Sequence, residues 1–298
     1  MNKKTIYALS TPKGKSAIAI VRISGPHAYE NIKKISSNMP KKENIASLNS
    51  IVDEKGSLVD NTLTTFFKSP KSFTGEDMVE ICIHGGGATT KKIIKTLGNF
   101  KNMQMAKPGE FTRRAFENNK LDLTQVEAIS DLVNAETEIQ RKQALSHLTG
   151  NFFKSSKKIF DNLKNILANI EAIIDFSEEE LPKNLLKSIK EQIENNIKKI
   201  TEILENSDFG ISIREGFLIT IIGKVNTGKS SFINTISDKD VAIVTNKPGT
   251  TRDLLESFVD IDGYPFRFID TAGIRKPKDL VEKIGVNKAL NLSKEASV

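Results

Sequence analysis

The chain has 298 residues, so it can bury more than one core and is large enough to be an enzyme. Its 44 Lys and Arg residues against 37 Asp and Glu residues leave a net charge of +7, which is compatible with an RNA or another polyanionic partner. The single cysteine, Cys82, excludes an intrachain disulfide and a cysteine-built zinc site, and no apolar run approaches the ~20 residues of a membrane span. We therefore expect a soluble cytoplasmic protein that does not cross a membrane.

Residues 1–118 alternate short apolar runs with turn signals. One strand is predicted over residues 18–23, and a Ser-Gly-Pro turn stops it. A second strand is predicted over residues 78–83, followed by a glycine-rich turn and a helical segment over residues 89–97. This order of elements predicts a small α/β domain.

The second predicted strand carries an acidic residue among apolar neighbours. Its period of two puts Val79, Ile81 and Ile83 on one face and Glu80 on the other. Taken alone, Glu80 is either a solvated surface carboxylate or a ligand-binding group, and the same two interpretations apply to Arg22 at a strand end.

From residue 119 to residue 210 the pattern changes to helices. Thr124 followed by Glu127 predicts a capping box, in which the hydroxyl covers one free helix N–H and the Glu reaches back to another. Two further helices have apolar side chains at spacings of four and three, so they are amphipathic. Their stripes are Ile159, Leu163, Ile166, Ile170 and Ile173, and Ile189, Ile193, Ile197, Ile200 and Leu204. We expect these stripes to form a core or to face a partner.

Residues 211–298 begin with an apolar run that leads into a phosphate-binding loop. The loop reads Gly223-Lys224-Val225-Asn226-Thr227-Gly228-Lys229-Ser230-Ser231. Glycines let such a backbone curl, successive N–H groups point inward, and the next helix adds its positive dipole end. Lys229 suits the β- and γ-phosphates of a nucleotide, and Ser230 suits Mg²⁺. The alternative is a glycine-rich turn that binds no nucleotide.

Two later segments supply the rest of a predicted nucleotide site. A strand over residues 266–269 ends in Asp270-Thr271-Ala272-Gly273, where the acid can hold Mg²⁺ and the glycine amide can meet the γ-phosphate. Between this segment and the phosphate-binding loop lies Pro248-Gly249-Thr250-Thr251-Arg252-Asp253, a turn with adjacent hydroxyls that suits a switch loop. The Asp-Thr-Ala-Gly form favours a GTPase over a kinase or a general ATPase.

The residue after this segment is Ile274, which cannot orient a water molecule as the Gln of many GTPases does. Carboxylates that can replace it lie just downstream, at Asp279 and Glu282. Arg252 and Arg275 are candidates for neutralising charge on the transition state, but surface or phosphate-steering roles suit them better. A partner group or an additional cation is therefore expected to supply that charge.

Several long segments resemble the MnmE family, also called TrmE, of tRNA modification GTPases. They are Thr11-Pro12 to Arg22-Ile23-Ser24-Gly25, Ser72-Phe73-Thr74-Gly75-Glu76-Asp77, Pro108-Gly109-Glu110-Phe111-Thr112, Arg114-Ala115-Phe116 and Lys120-Leu121-Asp122-Leu123, together with the GTPase elements. The resemblance implies a folate-binding and dimerising domain over 1–118, a helical domain over 119–210 and a partial Ras-like G domain over 211–298. The overall fold class is thus α/β combined with an all-α part.

The resemblance also implies site residues. A formyl- or methylene-tetrahydrofolate is expected at Arg22, Glu80 and Lys120, and Arg or Lys suits its carboxylates while Glu suits pterin N–H groups. Potassium is expected in place of an arginine finger at Asn226, Thr245, Lys247 and Thr250, with Lys247 contributing its backbone carbonyl. Mg²⁺ is expected at Ser230 and Thr251. Glu282 matches the family's water-orienting acid. The GTP contacts implied are Asn226, Thr227, Gly228, Lys229, Ser230, Ser231, Thr245, Thr250, Thr251, Asp270, Thr271, Ala272 and Gly273.

The family's partners give the implied function. With the flavoprotein MnmG, in a heterotetramer built on a homodimer, the family adds an aminomethyl or carboxymethylaminomethyl group to the wobble uridine of certain tRNAs. This chain ends at Val298, before the family's guanine-reading Asn-Lys-x-Asp element, so we expect a truncated copy or a fragment. Two alternatives stay open at this point: a folate-binding dimerisation module without GTPase activity, and an unrelated P-loop ATPase.

Overall fold

The computed structural model describes residues 4–40, 42–175, 184–221, 227–228, 231–232, 235–236 and 256–270. These residues belong to two compact units, Met1–Val126 and Glu127–Val298. Within the described ranges no helix is long and apolar enough to cross a membrane.

The first unit is built on a six-stranded sheet with the strand order β3-β4-β5-β2-β1-β6. Neighbouring strands are antiparallel except β1 and β6, which are parallel. The strands are β1 (Thr5–Leu9), β2 (Ser16–Ser24), β3 (Ala46–Val52), β4 (Leu58–Phe67), β5 (Met78–Gly85) and β6 (Met103–Met105), and the helices are α1 (Ala28–Lys34), α2 (Gly87–Gly98) and α3 (Glu110–Glu117). The predicted strands at 18–23 and 78–83 and the predicted helix at 89–97 are therefore confirmed.

One face of this sheet forms the core of the first unit. Val79 and Ile81 of β5 are fully buried, as is Val21 of β2, and they pack with Ile93 and Leu97 of α2. Fully burying a side chain of this size contributes about 1.5–3 kcal/mol, so this face holds the sheet and its helices together. The alternation predicted for β5 is confirmed, since Glu80 lies on the opposite face and is half-buried.

The opposite face of the sheet carries an apolar row that runs across four strands. The strand register places Leu48 beside Leu63, Leu63 beside Cys82, and Cys82 beside Ile20. Leu48 is 76% exposed and Leu63 is 46% exposed. We call these four residues the outer row.

The second unit combines helices with a three-stranded sheet of order β7-β9-β8. Its elements are α4 (Leu123–Asn134), which crosses the division between the units, α5 (Glu138–Leu148), α6 (Asn151–Asp175), α7 (Leu185–Glu205), α8 (Ser207–Glu215), β7 (Phe217–Ile221), β8 (Glu256–Ile261) and β9 (Tyr264–Asp270). Both predicted amphipathic stripes lie on helices, on α6 and α7, which pack against each other. Helix α8 continues past residue 210 and ends at Glu215, one residue before the turn into β7.

The capping box predicted at Thr124 is wrong by two residues. Helix α4 begins at Leu123, and Asp122 Oδ1 accepts a hydrogen bond from the backbone N–H of Gln125 at 2.9 Å. Gln125 Oε1 in turn accepts from the backbone N–H of Asp122 at 3.0 Å, so Asp122 and Gln125 form the reciprocal pair. Thr124 lies inside the helix and donates its hydroxyl to Asp122. The physical reason is that Asp122 offers a charged acceptor at the position just before the first helical residue.

A second capping box, which the sequence analysis missed, begins α5. The side chain of Thr137 accepts a hydrogen bond from the backbone N–H of Gln140, and the side chain of Gln140 accepts from the backbone N–H of Thr137. Gln140 also donates to the carbonyl oxygen of Arg214 at 3.1 Å, so the same residue ties α5 to α8.

Candidate functional site

Two of the predicted site residues, Arg22 and Glu80, meet on the outer face of the first sheet. They occupy opposite positions in the antiparallel pair of β2 and β5. The Arg22 guanidinium donates from Nε to Glu80 Oε1 at 2.8 Å, and its Nη2 lies 2.7 Å from the same oxygen. The pair is partly buried, so it is screened by solvent less than an exposed pair would be.

Two aromatic rings flank the Arg22 guanidinium. Its Cζ atom lies 5.1 Å from the ring centroid of Phe73 and 5.7 Å from that of Phe111. A cation within about 6 Å of an aromatic face is attracted by the ring quadrupole. The rings and Glu80 together fix the guanidinium, so its donors have one defined direction.

Arg22 also lines a cavity of about 900 Å³ in the first unit. The wall contains residues of the connection between β1 and β2, of the helix α2, and of the segment from Met105 to Thr112. Apolar side chains such as Leu9, Ile94 and Phe111 form much of this wall. The volume lies in the upper part of the range of small-molecule sites, which is about 300–1,000 Å³.

Lys120, the third residue expected to contact folate, lies beside the loop that carries Phe73. Its Nζ donates to the carbonyl oxygen of Pro70 at 3.0 Å. Its aliphatic stem packs against Gly75, where an added Cβ would lie 3.1 Å from Lys120 Cγ. The structure thus brings Arg22 and Glu80 into direct contact and attaches Lys120 to the same loop, but it gives Lys120 no contact with either residue.

A buried ion cluster holds this loop in place, and the sequence analysis did not identify it. Arg114 of α3 donates to Glu76 Oε2 at 3.0 Å and to Glu110 Oε1 at 3.1 Å. Its guanidinium also donates to the carbonyl oxygen of Lys4 at 2.9 Å. Glu76 accepts a further hydrogen bond from the Ser24 hydroxyl at 2.8 Å, so β2, α3 and the loop meet at one point. The signal available in the sequence was the Arg and two Glu residues within the segments that resemble the family.

Cys82 lies next to Glu80 on the same face of β5. Burial raises the pKa of the Cys82 thiol, and the nearby Glu80 carboxylate raises it further. The neutral thiol is therefore the stable form near pH 7, where it acts as a small apolar group in the outer row.

In the second unit, two parallel strands end side by side, and each is followed in the sequence by a segment predicted to bind a nucleotide. Strands β7 and β9 are parallel, and Ile221 lies opposite Asp270 in their register. The phosphate-binding sequence starts two residues after Ile221, and the Asp-Thr-Ala-Gly segment starts at Asp270. Ligands of open α/β sheets bind at the carboxyl ends of parallel strands.

Most of the residues predicted for GTP and metal ions lie outside the described residues. These are Asn226, Lys229, Ser230, Thr245, Lys247, Thr250, Thr251, Thr271, Ala272, Gly273 and Glu282. Thr227, Gly228 and Ser231 are described, as is the backbone of Asp270. Gly228 has a φ of +84°, and an ideal Cβ there would meet no atom within 4 Å. Glycine therefore suits this position because of its left-handed backbone conformation and not because a neighbouring atom leaves no room for a side chain.

Comparison with known proteins gives two family matches. A model described as GTP-binding protein TrmE N-terminus matches residues 5–120, and a model described as MnmE helical domain matches residues 123–296.

Three similar proteins share the name tRNA modification GTPase MnmE. The protein of Pelagibacter ubique is 44% identical over 295 residues, which cover 99% of this chain and 67% of the relative. The Wolbachia protein associated with Brugia malayi is 42% identical over 99% of this chain and 66% of its own length. The Aquifex aeolicus protein is 41% identical over the same shares of the two chains. The chain thus spans about two thirds of the length of the curated relatives that it matches.

Proposed function

The chain belongs to the MnmE family, also called TrmE, and we propose that it is a GTP-hydrolysing component of tRNA wobble-uridine modification. The observation that carries the proposal is the extent of the similarity: relatives named as tRNA modification GTPases are 41–44% identical along 99% of this chain. The matched stretch spans both the phosphate-binding loop and the residues that we expect to bind folate. The group added to the wobble uridine would be an aminomethyl or carboxymethylaminomethyl group, and MnmG would be the partner flavoprotein.

The geometry of β7 and β9 supports a nucleotide at the end of the small sheet. Because Ile221 and Asp270 are neighbours, the start of the phosphate-binding loop and the Mg²⁺-binding acid segment leave the sheet at the same edge. Lys229 would then reach the β- and γ-phosphates, and Ser230 and Thr251 would hold Mg²⁺. Potassium at Asn226, Thr245, Lys247 and Thr250 would offset the charge of the transition state, and Glu282 would orient the attacking water.

The Arg22–Glu80 pair supports a folate site in the first unit. A partly buried carboxylate suits the adjacent N–H donors of a pterin ring, and a guanidinium with free donors suits a pterin oxygen or a carboxylate. A bound methylene-tetrahydrofolate would supply the one-carbon unit. The roles of this chain are to bind the ring at Glu80, to orient it against Phe73 and Phe111, and to exclude water from the apolar wall of the cavity.

The outer row supports a homodimer through the first unit. Leu48 and Leu63 are large apolar side chains on the exposed face of a sheet, and they continue toward Arg22 and Glu80 on the same face. Exposed apolar patches of this kind mark association surfaces. A second copy that covers the row would bury these side chains next to the folate residues.

A folate-binding dimerisation module without GTPase activity is the second candidate. The observation that favours it is that Arg22, Glu80, their aromatic neighbours and the cavity all lie in the first unit, so no residue after Val126 is needed to assemble them. In that case folate binding would persist in the absence of GTP turnover.

Potassium-dependent GTP hydrolysis by the purified 298-residue chain tests the proposal. Sodium replaces potassium in the control, Lys229→Ala provides the blank, and ATP is assayed beside GTP. Turnover that requires potassium and Lys229 supports the GTPase function. Absence of turnover with formyl-tetrahydrofolate still bound overturns it in favour of the module, and equal affinity for ATP and GTP would indicate an unrelated ATPase.

A further inference from the structure

The cavity beside Arg22 has a strongly one-sided charge. Its wall includes the cationic side chains of Lys13, Arg22, Lys91 and Lys107 and no Asp or Glu side chain. The four cations come from separate segments of the chain: the connection between β1 and β2, β2 itself, α2, and the segment after β6. A concave site with apolar walls and charge of one sign favours an anionic ligand with a large apolar body.

The three lysines differ from their neighbours in having no ionic partner. Among the described residues, no carboxylate lies within ion-pair distance of the Lys13, Lys91 or Lys107 ammonium groups. Lys92, the next residue along α2, is paired with Asp53 at 2.6 Å, and Arg22 is paired with Glu80. Of the four cavity cations, Lys13, Lys91 and Lys107 are thus the three without an ionic partner among the described residues.

We propose that the folate taken by this cavity is a γ-linked polyglutamate, with the pterin end at Arg22, whose guanidinium Glu80 holds, and the tail carboxylates paired with Lys13, Lys91 and Lys107. The inference rests on the proposed folate function and names the form of the ligand. Each additional glutamate of such a tail adds one carboxylate, and an ammonium group on a flexible stem can follow carboxylates at several positions. The cavity of about 900 Å³ is large enough for a ligand with such an extension.

The apolar wall distinguishes this ligand from a nucleic acid strand. Leu9, Ile94 and Met105 line the same cavity, so a bound molecule must exchange water for apolar contacts along its body. The aminobenzoyl and pterin rings of a folate provide those contacts, whereas a phosphodiester backbone would desolvate charge against them. Lys13, Lys91 and Lys107 are exposed, so tail carboxylates paired with them would stay in contact with water.

The test is isothermal titration of the full chain with 5-formyl-tetrahydrofolate as the monoglutamate and as the pentaglutamate. We expect the pentaglutamate to bind about tenfold more tightly at low salt, because three exposed ion pairs each contribute modestly. The variant Lys13→Gln/Lys91→Gln/Lys107→Gln is expected to lose this preference while its affinity for the monoglutamate changes less than about threefold. The control Lys33→Gln/Lys34→Gln/Lys101→Gln removes the same charge from exposed lysines outside the cavity, and it should keep the preference.

The outcomes separate this inference from the folate function itself. Equal affinity for the two forms in the wild-type chain overturns the inference and leaves the folate function intact. A control variant that loses the preference as fully as the cavity variant also overturns it, since net charge would then be the cause. Absence of binding for both forms removes the folate function and the inference with it.

Discussion

Replacing Arg114 by Met should destabilise the first unit strongly, because it leaves two carboxylates buried without their cation. The Arg114 side chain is only 7% exposed, and Glu76 and Glu110 are 13% and 17% exposed. Breaking a buried ion pair by removing one partner costs about 3–5 kcal/mol. The loss includes the hydrogen bond to the Lys4 carbonyl oxygen, which ties the N-terminal segment to α3.

The assay is thermal or urea unfolding, monitored through the hydrogen exchange of amides in the first sheet. This readout reports on the first unit and excludes unfolding of the second unit. For a unit of this size, a loss of 3–5 kcal/mol lowers the melting temperature by about 10–20 °C. Arg113→Met is the matched control, because its side chain is 77% exposed and its pair with Glu117 is a surface i,i+4 contact worth about 0.3–0.5 kcal/mol.

An equal and small effect of the two Arg→Met variants would show that the buried cluster contributes no more to stability than a surface ion pair. Arg114→Met/Glu76→Gln should recover part of the loss by removing one unpaired charge. Arg114→Met should also weaken folate binding, because the pair of Arg114 with Glu76 anchors the loop that places Phe73 against Arg22.

Three further predictions concern other contacts. Asp53→Asn should lower the stability of the first unit at pH 7. Hydrogen bonding to Lys92 lowers the pKa of Asp53 from 3.8 to about 2. The ionised Asp53 therefore stabilises the fold fully above pH 3.8, and this stabilisation is lost as the pH falls through about 2. Thermal melts of the variant and the wild type should converge between pH 4 and pH 2, and a constant difference would contradict this cause. Leu63→Lys should shift the chain from dimer to monomer in analytical ultracentrifugation, and an unchanged dimer would exclude the outer row as its interface. Gly216→Ala should destabilise the second unit by about 1–3 kcal/mol, because φ is +89° and the added Cβ would lie 2.8 Å from Arg267 Cγ. Unchanged hydrogen exchange in β7 would contradict that expectation.

The sequence predicted the features that depend on neighbours along the chain. The strands around Arg22 and Glu80, the helix after the glycine-rich turn and the two amphipathic helices were all visible from local periodicity. The helix start at Asp122 was misplaced by two residues because Thr124 and Asp122 both offer an oxygen at a plausible distance from the helix. The structure distinguishes them, because α4 begins at Leu123 and the backbone N–H of Gln125 donates to Asp122.

Contacts between distant segments could not be predicted in the same way. Arg22 and Glu80 are 58 residues apart, and their contact depends on the register between β2 and β5, which the pattern of either strand alone does not determine. The cluster around Arg114 joins segments up to 110 residues apart, so it was invisible to an analysis of short motifs. The resemblance implied Arg22, Glu80 and Lys120 as folate contacts, and the structure adds Phe73 and Phe111 as the rings that flank the Arg22 guanidinium.

The proposed folate site at Glu80 and Arg22 is tested by titrating 5-formyl-tetrahydrofolate into the wild-type chain and into the Glu80→Gln variant. Losing a charged hydrogen-bond acceptor costs about 1.5–3 kcal/mol, so we expect Glu80→Gln to bind folate about 10- to 100-fold more weakly. Glu43→Gln is the control, because Glu43 is exposed and forms only a long surface pair with Lys71 at 3.8 Å. Equal affinity of Glu80→Gln and the wild type, in chains that bind folate, would contradict the claim.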